Sequence, residues 1–258
     1  MKFFARSEFR GFVRRWLSQA ARWVLRRRSQ PYPIEQDTTA LIFVPHPDDE
    51  ALGCGGLVLL KRMEGLTVRI AFVTDGCASH PGHPVLTPEA IAAERQREAF
   101  RAAARLGVER AGLDFLGVGD GTLARLDAAA AEEVVGKIAH LLRQTKPDEI
   151  FLPCRQDGSS EHDATFILVS RALEQVGQQP RIFEFPVWSW WNPLRLTRTV
   201  TTGCHIWRVN FRGYESQKQR AIAAYATQIQ PTPPWTQPLL SREFVSFFST
   251  DEEFFFER

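Results

Sequence analysis

Between residues 39 and 186 short apolar runs alternate with longer segments of helical period. Residues 40–44 form an unbroken β-branched and aromatic run closed by Pro45, and residues 68–74 repeat the pattern. Such runs predict buried strands. Shorter runs at 113–116, 149–152 and 181–186 predict three more. Between them the spacing predicts helices over 50–63, 88–106, 127–145 and 162–176. Gly107 stops the second of these and Pro147 follows the third. Gly53, Gly55 and Gly56 predict a first helix lying close to a sheet. The final 70 residues are less regular and rich in Trp, Phe and Pro, with further strands and a helix expected near 213–226. Strand-helix alternation predicts an α/β fold with a mainly parallel sheet. Chemistry in such sheets gathers beyond the carboxyl ends of the strands.

Composition changes this picture at one end only. The chain has 258 residues, 44% hydrophobic and 24% charged, an ordinary globular mixture. Its formal net charge of +2 conceals a division. Residues 1–28 carry nine basic side chains and one acid, Glu8, whereas the rest carries 23 basic and 29 acidic ones. On a helical wheel Phe9, Phe12, Val13, Trp16, Leu17, Ala20, Trp23 and Val24 share one sector. Arg14, Arg15, Arg22 and Arg26 lie opposite. This predicts an N-terminal amphipathic helix, either docked on the body with solvated arginines or resting on an anionic membrane surface. Pro31 and Pro33 block its continuation through a linker at 29–38. The expected division is an arm and linker at 1–34 and a single domain at 35–258.

No apolar run reaches about 18 residues, so no bilayer span is expected. Arginines interrupt the apolar stretch that an export signal needs. Cys54, Cys77, Cys154 and Cys204 form no CxxC pair, which reads as thiols in a reducing compartment. The expected location is cytoplasmic, with peripheral contact at the inner face of the membrane. The acidic body and the lack of a binding motif leave no nucleic-acid partner expected.

The chemistry concentrates after the first strand, in Pro45-His46-Pro47-Asp48-Asp49-Glu50. One imidazole and three carboxylates in five residues are costly unless solvated or bound. A helix N-terminus favoured by carboxylates is the bland reading. A zinc site uses imidazole nitrogen and carboxylate oxygen, with three protein ligands at a catalytic centre. His46 and Asp49 can converge on one ion, leaving Asp48 to act as a base. The third ligand is expected from another strand end, where Asp157-Gly158-Ser159-Ser160-Glu161-His162 follows the fourth strand; His162 is the candidate. Iron(II) suits similar ligands.

These residues resemble the LmbE/PIG-L family of zinc-dependent N-deacetylases. His46-Pro47-Asp48-Asp49-Glu50 is similar to its signature. Thr74-Asp75-Gly76, Glu94-Arg95 with Glu98, Asp157 to His162, and Lys218 with Tyr225 and Gln228 resemble later segments. The resemblance spans roughly 38–230. It implies a three-layer Rossmann-like sheet with helices on both faces. It also implies one Zn²⁺ held by His46, Asp49 and His162, with Asp48 as general base. The substrate implied is an N-acetylated amino-sugar or glycoconjugate, lipid-linked if the arm rests on a membrane, and acetate is released. Two positions depart from the pattern. Ser159 replaces a histidine credited with oxyanion or proton-donor work, and Glu161 replaces an aspartate. His80 or His83 could fill the gap, although a solvated loop pair is the plainer expectation. Trp188, within the aromatic segment 183–191, suits the rim of a sugar site. The departures leave open a lapsed zinc- or carbohydrate-binding module, or a membrane-peripheral scaffold.

Overall fold

The computed structural model describes residues 2–155, 157–196 and 203–257. Among the described residues, eight strands form one sheet: β1 Gln30–Pro31, β2 Thr39–Val44, β3 Thr67–Thr74, β4 Leu113–Val118, β5 Glu149–Pro153, β6 Arg181–Phe185, β7 His205–Asn210 and β8 Glu252–Glu257. Their order across the sheet is β1-β7-β8-β6-β5-β2-β3-β4. All neighbours are parallel except β8, which runs antiparallel to both β6 and β7.

Four helices follow the parallel strands: α2 Asp49–Met63, α3 Pro88–Arg105, α4 Ala128–Thr145 and α5 Ser160–Val176. Along β2 the side chains alternate between two cores. Ala40, Ile42 and Val44 meet α2 and α3, while Leu41 and Phe43 meet α4 and α5. The strand is thus covered on both faces, which explains its unbroken apolar sequence. Thr87 and Asp127 cap α3 and α4 by accepting from Ala90 N and Ala130 N. The glycines of α2 serve close packing as expected. A Cβ at Gly53 would stand 2.3 Å from the Phe185 ring, and one at Gly56 would stand 2.1 Å from the Phe211 ring.

The chain winds from β2 through β3 to β4 on one side, then returns to place β5 and β6 on the other. The carboxyl ends of β2 and β5 therefore flank a topological switch point, where α/β sheets bind ligands. At the opposite end of these strands, buried Lys61 pairs with Glu149 at 2.5 Å, and Tyr32 donates to the same carboxylate. Tyr32 belongs to the segment read as a linker. There Gln30 and Pro31 add a short strand beside β7, so the segment is tied into the sheet.

The arm is a helix, α1 Lys2–Arg28. It docks through Gly11, Ser18 and Leu25, all buried. Arg14 and Arg22 lie over the rings of Trp191 and Trp190 at 3.5 and 4.0 Å, and Arg26 pairs with Glu252 at 2.9 Å. The helix is therefore docked, but Arg14 and Arg22 are not solvated: they face the body. The side chains of Phe9 and Phe12 lie outside the described ones. No described helix is long and apolar enough to cross a membrane.

Candidate metal centre and active site

Pro45-His46-Pro47-Asp48 make the turn from β2 into α2. Thr74 anchors it, its hydroxyl donating to Pro45 O at 2.7 Å. Asp48 has φ 138°, a value strained for a residue with a Cβ. Such backbone persists only where the surroundings fix it. Here Asp48 N donates to Glu50 Oε2 at 3.1 Å, while Arg95 donates to Pro47 O and reaches Asp48 Oδ2 at 3.2 Å.

The turn brings His46 Nδ1 to 3.2 Å from Asp49 Oδ2. From the end of β5 and the start of α5, His162 brings Nε2 to 3.4 Å from the same oxygen. Ligand atoms of His46, Asp49 and His162 all lie within 4.8 Å of one another. The set fits a divalent transition cation in donor chemistry, two imidazoles and a carboxylate. Both ring nitrogens of His162 are buried and make only ion-pair contacts, Nε2 with Asp49 and Nδ1 with Asp157, with no hydrogen bond of good geometry.

Each imidazole has a carboxylate behind it. His162 Nδ1 stands 2.9 Å from Asp157 Oδ2, and His46 Nε2 stands 3.2 Å from Asp120 Oδ1. Such partners fix ring orientation at metal sites. Burial disfavours charge on both rings, but Asp120 and Asp49 raise His46 to about 10. Asp49 and Asp157 likewise raise His162 to about 9. Burial also opposes charge on Asp49, yet His162 and His46 hold its carboxyl well below the ordinary range. Asp48 behaves differently: burial, resisted by Arg95, pushes it up to about 6. Neighbouring carboxylates are thus pushed in opposite directions, the condition for distinct chemical roles.

A cleft of about 220 Å³ opens over these groups. His46, Asp48, Asp49, Arg95 and Asp120 form its polar side; Trp188, Leu239, Leu240 and Phe244 form an apolar wall. Trp188 packs on Phe244 with ring centroids 4.7 Å apart. Asp157 holds the wall in place by accepting from the backbone N–H groups of Val187, Trp188 and Ser189.

The other candidate residues are less central. Asp75 accepts from Cys77 N and Asp120 N, shaping the loop that presents Asp120. His80 and His83 are both buried, not the solvated pair expected: His80 stacks on Trp235 at 5.3 Å, and His83 Nδ1 accepts from Leu86 N at 3.0 Å. Neither histidine lines the cleft, and neither does Ser159, which sits at the N-cap position of α5. Glu161 is buried, and that burial raises its pKa. With His46 and Asp120 it forms a second donor group within 4.8 Å, on the Nε2 side of His46.

Asp120 escapes the sequence reading. Its signal is faint: an acid between Gly119 and Gly121 in the loop after β4. The later segment acts as support. Lys218 and the N–H groups of Gly56 and Leu57 all donate to Glu253. Tyr225 donates to Glu50, and Gln228 reaches the cleft.

Comparisons with known proteins bear on the fold and the family. N,N'-diacetylchitobiose deacetylase from Pyrococcus horikoshii superposes with a TM-score of 0.60 at 22% identity, covering 80% of this chain and 76% of that one. A zinc-inhibited form of teicoplanin deacetylase Orf2 gives 0.63 at 16%, covering 85% and 97%. GalB, a 4-carboxy-2-hydroxymuconate hydratase from Pseudomonas putida KT2440, gives 0.62 at 17%, covering 82% and 83%. These likenesses establish the fold. No curated protein sequence matches the chain. A family model does: the PIG-L model, described as GlcNAc-PI de-N-acetylase, matches residues 41–173, which hold the turn after β2, Arg95, Asp120 and His162. The chain belongs to the PIG-L (LmbE-like) family.

Proposed function

We propose that the protein is a metal-dependent hydrolase that removes the N-acetyl group from an amino-sugar or glycoconjugate, releasing acetate and a free amine. The observation carrying this reading is the convergence of His46, Asp49 and His162 beside an Asp48 carboxyl whose pKa is pushed up to about 6. His46, Asp49 and His162 would hold the cation, with zinc favoured by the donor set. Such a cation supplies carbonyl polarisation and acidification of a water.

The protein's own groups account for the rest. Asp48 accepts a proton from the attacking water at Oδ2 or Oδ1 and returns it to the departing nitrogen, so no net proton is lost in the cycle. Arg95 keeps the Asp48 carboxylate in place while that proton is carried. Asp120 and Asp157 hold the two imidazoles in orientation. The Trp188 face suits the apolar side of a pyranose ring. Leu239 and Leu240 extend the wall with aliphatic surface, which suits a lipid-linked sugar.

The test is acetate release from a panel of soluble and lipid-linked N-acetylglucosaminides, with and without chelator. Chelator-sensitive release supports the reading. No release from any member by zinc-loaded protein would support the lapsed module, which the Ser159 departure favours.

A further inference from the structure

The docking of α1 divides its arginines. Arg14 and Arg22 turn toward the body, whereas Trp16, Trp23 and Val24 turn out. Trp16 is 61% exposed, Trp23 58% and Val24 40%. Residues 16 and 23 are two turns apart, so the two indoles form one ridge about 10 Å long. A contiguous exposed apolar patch rimmed by polar residues marks an interaction surface. The face opposite is already satisfied by Trp190, Trp191, Glu243 and Glu252.

What covers the ridge is indicated by its borders. Arg15, Arg27 and Arg28 are exposed, and Arg27 lies over the Trp23 ring at 4.5 Å. No acid occurs in residues 9–28. A second copy docked by twofold symmetry would set these arginines against their equivalents. A bilayer carrying anionic lipid would not, because indole rings settle at the headgroup level and arginines reach the phosphates.

We propose that the outward face of α1, with Trp16, Trp23 and Val24 as its apolar ridge and Arg15, Arg27 and Arg28 as its border, docks the protein on an anionic lipid surface. The helix rests on the segments that build the cleft's apolar wall. Trp188 and Phe244 line the cleft, while Trp190, Trp191 and Glu243 from the same segments hold α1. The arm would thus set the cleft at a fixed height above the headgroups. The inference extends the proposed function without depending on it, since vesicle binding is read without turnover.

The test is co-sedimentation of the full chain with vesicles of phosphatidylcholine alone or with 30% phosphatidylserine, across a salt series. Wild type is expected to bind the anionic vesicles and to lose binding as salt rises. W16A/W23A should lower the partition coefficient at least tenfold, and R27E/R28E should remove the preference for phosphatidylserine. Unchanged circular dichroism would show that both variants fold; if a double variant fails that check, W16A and R28E singly carry the same test with smaller expected losses. Failure of wild type to bind, or equal binding by the tryptophan variant, would overturn the proposal. So would a wild-type dimer that W16A/W23A converts to monomer.

Discussion

Tyr225 hydrogen-bonds Glu50 across 175 positions of sequence. Glu50 in turn accepts from Asp48 N, so the strained turn after β2 is held from the far end of the domain. Burial pushes the Glu50 carboxyl up to about 8, against the opposing effect of the Tyr225 hydroxyl. Removing that hydroxyl leaves a buried carboxyl oxygen without its partner. Tyr225→Phe is expected to cost about 1–3 kcal/mol. Urea denaturation of metal-free protein measures this; an unchanged midpoint would refute the supporting role.

Asp48 and the three proposed ligands should separate in their phenotypes. Asp48→Asn keeps the size of the side chain and removes the proton acceptor. Turnover should fall about a hundred- to ten-thousand-fold while metal is retained. His46→Ala and His162→Ala should both lose metal. Elemental analysis beside acetate release distinguishes the cases, and stoichiometric zinc in either histidine variant would remove that residue from the set.

Asp157 is expected to act on metal affinity through His162. Asp157→Asn weakens the partner behind His162 Nδ1, and such changes typically cost about 10–100-fold in affinity. Competition with a chromogenic chelator reads this directly. Equal affinity in the variant would show that His162 is oriented by its burial alone.

Acid should loosen the middle of the sheet. Glu257 in β8 accepts from Arg181 in β6 at 2.8 Å and from the Trp207 indole at 2.6 Å. The Arg181 hydrogen bond, with Trp207 adding to it, lowers the Glu257 pKa below its ordinary 4.5. A carboxyl whose pKa is depressed by folding stabilises the protein above its unfolded value, and that contribution fades as pH falls through the folded value. The stability of Glu257→Gln should therefore fall less between pH 5 and pH 3 than that of wild type. Parallel curves for the two proteins would count against the pairing.

The alternating half of the fold was legible because β2, β3 and β5 are almost wholly buried and α3 and α4 carry ordinary caps. The approach of His46, Asp49 and His162 was legible for a related reason: in a parallel sheet, residues after strand ends share one rim. Asp120 was not, since a lone acid between glycines looks like any turn. The orientation of α1 was hidden by the chemistry of arginine. Its planar guanidinium stacks on tryptophan, so a charged face can be the docked one. The strand order of β7 and β8 was hidden too, because antiparallel insertion beside β6 leaves no periodic mark in the sequence.

That insertion has a consequence of its own. β8 is the seam of the sheet, with β1 and β7 on one side and five strands on the other. Fraying there would not soften an edge. It would part both antiparallel ladders in one cooperative event and take from Arg26 its partner Glu252. Amides along β7 and β8 should therefore exchange their hydrogens together, at one shared opening rate.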